Sequence, residues 1–451
     1  MYLFSPTNIF KERLLSILLA LLPVSFVAGN MIININLISI IIFSFIIFGK
    51  DIFNLKYFLL DKLIFSFFLL IIITGFINEY YFFINDLSPW LGYFNIILKS
   101  FLFLKYLFLY IVLRYLIENE KINLKIFFLS CAIMTVFVCF DIFYQFIFGK
   151  DIFGYEIIGS GAKLSGPFGD ELIAGGYIQR FSIFSFFVLP LFYPELSKKY
   201  SKYLLPILFL IFFIGIILSG NRMPLLLFFL SVLLILIFQK QTRKFFFHFI
   251  IMFTIIFSIV FNFNSTVNTN FKSFYYQVNN MTNIIFSGDY KNERSLKPHL
   301  YPQYMKEFAT FYDTWLMNKY VGGGIKNFRY YCHKASKKDK KKESFICNMH
   351  PHNYYLEILT ETGLIGFIIV LLILFNVFYI SFIKKYFYKD SYFLLKDNKL
   401  IIPFIFLFIV EVFPIKSTGS FFTTGNATYL FLILPILIGL VRKDISIEKK
   451  I

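Results

Sequence analysis

The chain has 451 residues, of which 58% are hydrophobic and 16% charged, with a formal net charge of +18. So apolar a composition excludes a soluble domain and fits a polytopic membrane protein. A strongly basic chain can bind nucleic acid, but these basic residues follow a membrane topology, as set out below, so no nucleic-acid partner is expected.

Lys11 and Arg13 precede an apolar run over 14–27, with the small residues Ala28 and Gly29 behind it. That pattern resembles a signal peptide, but a second apolar run follows at once, so an uncleaved first membrane helix is expected. Twelve runs have roughly transmembrane length: 14–29, 31–48, 62–78, 94–115, 124–148, 176–193, 203–219, 223–239, 245–263, 354–383, 400–415 and 425–441. The first two can also form one re-entrant pair. The runs are too long for barrel strands and do not alternate. The expected fold class is an all-α polytopic membrane protein of about twelve transmembrane helices, nine within 1–263 and three within 354–451, around one large loop at 264–353.

Alternate connections differ sharply in charge. One set holds Lys50, Lys56 and Lys62; Arg114, Lys121 and Lys125; Lys198, Lys199 and Lys202; Lys240, Arg243 and Lys244; and Lys384, Lys385, Lys389, Lys396 and Lys399. Both chain ends belong to this set. The opposite short loops hold only Lys150, Lys163, Arg222 and Lys416. Basic loops stay inside, so both ends are expected in the cytoplasm and the 264–353 loop outside it, in the periplasm if the cell has an outer membrane.

The loop is the one segment long enough for a small domain. A helix is expected over 300–320, with Tyr301, Tyr304, Phe308, Tyr312 and Trp315 at near-helical spacing. It can lie on the bilayer surface or against the membrane domain. The basic run 337–342 reads as a solvated hairpin tip, or else as a contact to acidic glycan or lipid phosphate. Cys332 and Cys347 can form a disulfide if the loop lies outside the cytoplasm, whereas Cys131 and Cys139 read as core. No cysteine spacing suggests zinc.

Beyond the loop comes the densest polar run, Asn348-Met349-His350-Pro351-His352-Asn353-Tyr354-Tyr355-Leu356-Glu357, continuing to Glu361-Thr362-Gly363-Leu364-Ile365-Gly366. Pro351 disfavours a helix at His350, so the histidines precede a helix that Asn353 can cap. Glu357 and Glu361 then share one helical face. Taken alone, these residues also read as a polar helix start at the membrane surface. His352-Asn353, nine residues, then Gly363-Leu364-Ile365-Gly366 resembles the signature of the O-antigen ligase and polymerase superfamily, in which it follows a large periplasmic loop. Gly322-Gly323-Gly324 resembles a glycine-rich turn in that family's loop; on bare physics it is only a turn.

The resemblance implies a bacterial inner-membrane glycosyltransferase of the all-helical GT-C type, metal-independent and inverting, needing no cofactor. The implied donor is an undecaprenyl-diphosphate glycan. The acceptor is a lipid A-core sugar for a ligase, or another lipid-linked glycan for a polymerase. Such a transfer must deprotonate the acceptor hydroxyl and stabilise the departing diphosphate. No compact carboxylate cluster for a metal stands out, so arginine, whose planar fork suits phosphate oxygens, is the expected substitute.

Ser219-Gly220-Asn221-Arg222 resembles the family's Ser-Gly-x-Arg motif, whose arginine is implicated in diphosphate binding; by itself Arg222 can also be a snorkelling boundary residue. Arg180 follows a glycine-bearing stretch, 164–180, that resembles an outer segment of the polymerase-like proteins. Lys163 stands where that family often has arginine. Asp170 and Glu171 can position Arg180 or accept a sugar hydroxyl, or simply pair charges at a loop rim. His352 is the expected base, or else a phosphate ligand, since an ordinary imidazole exchanges protons near neutral pH. His350, Glu357 and Glu361 can orient it; the two glutamates can instead pair with Arg222 or Arg180, and His350, Asn353 and Lys163 join the arginines as candidate contacts to the substrate diphosphate. Gly363 and Gly366 are expected to permit close helix contact. Lys99, Lys105, Asp141, Gln145 and Glu411 fall in or near apolar runs, where a charge costs about 2.5–3.5 kcal/mol, and are assigned no chemistry. A lipid-glycan transporter is the rival from another class. It predicts basic residues along mid-membrane helices and internal repeats, neither of which stands out.

Overall fold

In the computed structural model the described residues are 6–84, 95–157, 163–239, 246–263, 303–338, 347–388 and 397–448 other than 418, with residue 395 and short pieces between 268 and 282. Among them the regular elements are helices, and one isolated bridge joins Lys150 to Glu156. The elements that matter here are α1 (Pro6–Ala20), α2 (Leu22–Ala28), α3 (Asn30–Phe48), α4 (Leu59–Ile84), α5 (Asn95–Phe103), α6 (Lys105–Glu118), α7 (Leu124–Phe148), α8 (Ala174–Phe192), α9 (Pro194–Leu218), α10 (Arg222–Phe238), α11 (Phe246–Phe263), α12 (Gln303–Trp315), α13 (Phe328–Lys338), α14 (Tyr354–Phe378), α15 (Ile402–Glu411) and α16 (Thr424–Glu448).

Local sequence explains the boundaries. Gly29 at φ +102 separates α2 from α3, and Gly149 at φ +76 ends α7 in the left-handed conformation that glycine tolerates best. The Asn123 side chain caps α7 by accepting from Lys125 N at 2.9 Å.

A helix stands at each of the twelve expected places. Six stretches are long and apolar enough to cross a bilayer: Asn30–Phe53, Leu59–Ile84, Ile96–Glu118, Leu124–Phe148, Pro194–Leu218 and Tyr354–Tyr386. Three further apolar helices are shorter: Arg222–Phe238, Ile250–Ile259 and Ile402–Glu411. The expectation of twelve full spans is thus met in part. The largest shortfall is at 400–415, where the helix stops at Glu411 and residues 412–416 turn out of it. α8 carries Gln179 and Arg180 within its apolar run, and α16 carries Arg442, Lys443 and Asp444 in the turns before its end at Glu448.

The core is a dense aromatic and aliphatic bundle. α16 packs along α6, α7 along α8, and α14 along α4. Phe128 of α7, Phe184 of α8 and Phe404 of α15 meet edge to face, with centroids 4.9 Å and 5.2 Å apart in successive pairs. That cluster fixes α8 against α15 one helical stretch away from Arg180 and Glu411. Large apolar side chains also face outward in rows, as with Ile35, Ile38, Ile42 and Ile46 on α3 or Ile365, Ile368, Leu372 and Phe375 on α14. In a chain of this composition such rows meet lipid.

A buried polar cluster joins α4 to α6. Arg114, fully buried, pairs with Asp61 and with Glu118 and donates to Lys56 O at 2.6 Å, while Tyr110 OH donates to Asp61. These groups satisfy one another, as buried charges must.

Candidate active site

Between α12 and α14 the described loop folds onto the bundle. α12 covers Gln303–Trp315 and stops before the expected end at 320, while residues 300–302 lie outside the described residues. Cys332 on α13 is bonded to Cys347. Residues 339–342 of the basic 337–342 run lie outside the described residues. The glycine turn at 322–324 lies against α14, where Gly363 takes φ +67 and breaks the helix. The break turns backbone groups outward, and the loop satisfies them. Gly323 N donates to Thr360 O and Gly324 N to Glu361 O, each at 2.9 Å; Leu364 N donates to Lys319 O at 2.9 Å and Ile365 N to Tyr320 O at 3.2 Å. A Cβ on Gly363 would collide with the Tyr320 carbonyl, and one on Gly322 with the Glu361 backbone. Gly363 therefore serves a helix-to-loop contact, where helix-to-helix contact was expected. Gly366 lies near Leu70 of α4, 3.1 Å from where its Cβ would stand.

The lead-in to α14 matches the sequence reading. Asn353 is extended (φ −146, ψ 133), and its carboxamide oxygen accepts from Tyr355 N at 2.9 Å and Leu356 N at 3.2 Å. Its amide nitrogen donates across to Pro414 O at 2.8 Å and Lys416 O at 3.1 Å. Tyr355 OH donates to Val412 O. The run 353–355 thus grips the turn that follows α15. His352 sits half-buried on this lead-in, its ring 4.9 Å from that of His350. Burial, with His352, Arg329 and Lys326 nearby, lowers the His350 pKa to about 4.

Beneath the lead-in is a buried ionic cluster. Arg180 on α8 donates to Glu411 through Nη2 at 2.8 Å and Nε at 3.2 Å, and to Asn426 Oδ1 at 2.6 Å. Lys416 Nζ lies 2.6 Å from the same Oε1 of Glu411 and 3.1 Å from Tyr354 OH. Tyr354 OH donates to that oxygen at 2.7 Å. Side-chain exposure is 14% for Arg180, 5% for Lys416 and 0% for Glu411. Burial lowers Lys416 to about 8, against the pull of Glu411.

Arg222 is the first residue of α10, after Asn221 in the cap position and Gly220 at φ +67. This turn seats on α8: a Cβ on Gly175 would stand 2.9 Å from Asn221 Cβ and collide with the Ser219 hydroxyl. The turn of Arg222 and the helix of Arg180 are therefore in direct contact.

Other candidates fall elsewhere. Among the described residues the carboxylate partner of Arg180 is Glu411, where Asp170 and Glu171 were expected; both of these are exposed on the loop before α8, as is Lys163. Glu357 is fully buried and accepts from Ser420 OH at 2.5 Å and from Phe421 N. Glu361 accepts from Lys326 N at 2.7 Å, and its Oε1 has no partner among the described residues. The two glutamates thus hold the 420–421 turn and the outer loop, and the expected bonds to His352 or the arginines are not the ones they make.

Sequence reasoning passed over Tyr354, Lys416, Glu411 and Asn426. Glu411 carried a signal, a carboxylate within an apolar run, but its partners lie 231 residues away at Arg180 and 5 at Lys416.

No curated protein matches the chain. A family model described as O-antigen ligase matches residues 207–371, which include Arg222, the outer loop and the His350–Gly366 run, but neither Arg180 nor Glu411 and Lys416. Residues 207–371 are thus similar to an O-antigen ligase family, within a chain whose long apolar helices point to a multi-pass membrane protein.

Proposed function

We propose that the protein transfers a glycan from an undecaprenyl-diphosphate donor to a lipid A-core acceptor on the outer face of the bacterial inner membrane, within a GT-C-type fold. One observation carries the reading: the His352-Asn353 run is bonded directly to the turn that holds Lys416 and Glu411 against Arg180. This supports a site in which His352 serves as proton acceptor near the buried cations, with His352 itself inside the family-matched segment. His352 takes the proton of the acceptor hydroxyl as that oxygen bonds the anomeric carbon. The bond from that carbon to the phosphate oxygen breaks, and the lipid diphosphate leaves with the electron pair. Arg180 and Arg222 stabilise the charge growing on it. The oxidised Cys332–Cys347 pair supports an outer position for the loop.

The test uses protein reconstituted with donor and acceptor on the same outer face, so no flipping is required. Wild type is expected to cap lipid A-core with EDTA present, and His352→Ala to lose about 10²–10⁴ of the rate while staying monodisperse. Longer lipid-linked chains in place of capped lipid A-core would mark a polymerase. Movement of lipid-linked glycan across the bilayer without transfer would overturn the enzyme reading.

A further inference from the structure

The ionic cluster is unevenly charged. Among the described residues Arg180 and Lys416 bring two cations to one carboxylate, Glu411, and the other hydrogen-bonding side chains there, Tyr354 OH and the Asn426 amide, are neutral donors or acceptors. Buried charge is costly unless it is balanced. A buried excess of one positive charge is poorly explained as scaffolding, because Arg180 and Glu411 alone would form a balanced pair. It is well explained if an anion completes the set.

The surroundings say which cation is the extra one. Arg180 has Nε and Nη2 turned onto Glu411. Lys416 is held from three sides: its ammonium by Glu411 and Tyr354 OH, its carbonyl by Asn353, and its Nζ 4.4 Å from the centre of the Tyr354 ring. An ammonium carries three donors, and here they meet Glu411 Oε1 at 2.6 Å, Tyr354 OH at 3.1 Å and, at the long distance of 3.5 Å, Glu411 O. The residue that fixes its peptide stands next to His352. Asn353, Tyr354 and Tyr355 thus all bond to residues 411–416, the stretch that sets Lys416 on the same carboxylate as Arg180.

We propose that Lys416 is a further phosphate ligand of the donor, beside the two arginines, and that Glu411 is a positioning residue that sets it beside Arg180. The inference rests on the glycosyl-transfer reading above and names the group recognised: the diphosphate, whose two phosphates are shared among Arg180, Arg222 and Lys416. A monophosphate lipid has no second phosphate for Lys416 to hold.

The test measures how undecaprenyl diphosphate and undecaprenyl monophosphate compete with donor in nanodisc-reconstituted protein, alongside the melting temperature. Wild type is expected to prefer the diphosphate. Lys416→Met should weaken diphosphate binding about tenfold or more, the scale of one charged hydrogen bond, and change monophosphate binding little. Its melting temperature should hold or rise, because the variant leaves the balanced Arg180–Glu411 pair. Lys416→Arg should restore most of the preference, and Glu411→Gln, which frees both cations, should lose it. Unchanged diphosphate affinity in Lys416→Met overturns the proposal. So does a lower melting temperature with affinity unchanged or unreadable, since Lys416 would then be a structural partner. A wild type that binds and transfers while Lys416→Met behaves identically fails this inference alone; a wild type that neither binds a lipid diphosphate nor transfers glycan fails the function proposed above as well.

Discussion

His350 gives the residue scale a pH signature. Its folded pKa is lowered to about 4 by burial and by neighbouring His352, Arg329 and Lys326, whereas the unfolded imidazole titrates near 6.5. Below pH 6.5 the unfolded chain takes up a proton that the folded chain refuses. Stability from the neutral ring is thus complete above pH 6.5, falls as pH drops from about 6.5 to 4, and loses nothing further below that. Melting temperatures across this window should slope for wild type and flatten for His350→Gln; an equal slope in both would reject the assignment. Asn353 illustrates what a sequence reveals at this scale. Its cap was legible because it acts on residues two and three positions ahead. Its grip on Pro414 and Lys416 was not, because nothing local in 348–357 points to a partner 61 residues on. Glu411 was visible only as a costly charge within an apolar run, and Arg180 as an arginine with nearer acidic residues to hand, Asp170 and Glu171, so nothing local pointed from either to the other.

At the scale of elements, long apolar runs made the helices legible, since hydropathy alone sets where they lie. Their ends were less so. The 400–415 run hid a helix that stops at Glu411, because Phe413 and Ile415 keep the composition apolar after the backbone has turned away. The break in α14 was also hidden: Gly363 sits in an apolar stretch and reads as small-residue contact, while its partner is the backbone of 319–321. Substitution should separate the two meanings. Gly363→Ala forces a side chain onto the Tyr320 carbonyl at a glycine-type φ of +67. It should cost at least about 1–3 kcal/mol in strain and lower the melting temperature or the monodisperse yield. Gly176→Ala on α8, where a Cβ meets open space, should be neutral. Equal behaviour of the two would reject the close backbone contact.

For the whole molecule, the charge asymmetry of the loops predicts the side on which each lies. Single cysteines at Ser201 and Ser336, in a chain lacking Cys131, Cys139, Cys332 and Cys347, should differ toward an impermeant thiol reagent in spheroplasts: position 336 labelled, position 201 protected. Equal labelling would reject the topology. The contact between 319–326 and 360–365 also has a bearing on how the chain is made. A half-helix left open at Gly363 cannot enter lipid with bare carbonyls. Synthesis runs from the N-terminus, so residues 319–326 are made first. The strip of backbone that completes the broken helix is thus ready before the helix arrives, and the order of translation itself closes the gap.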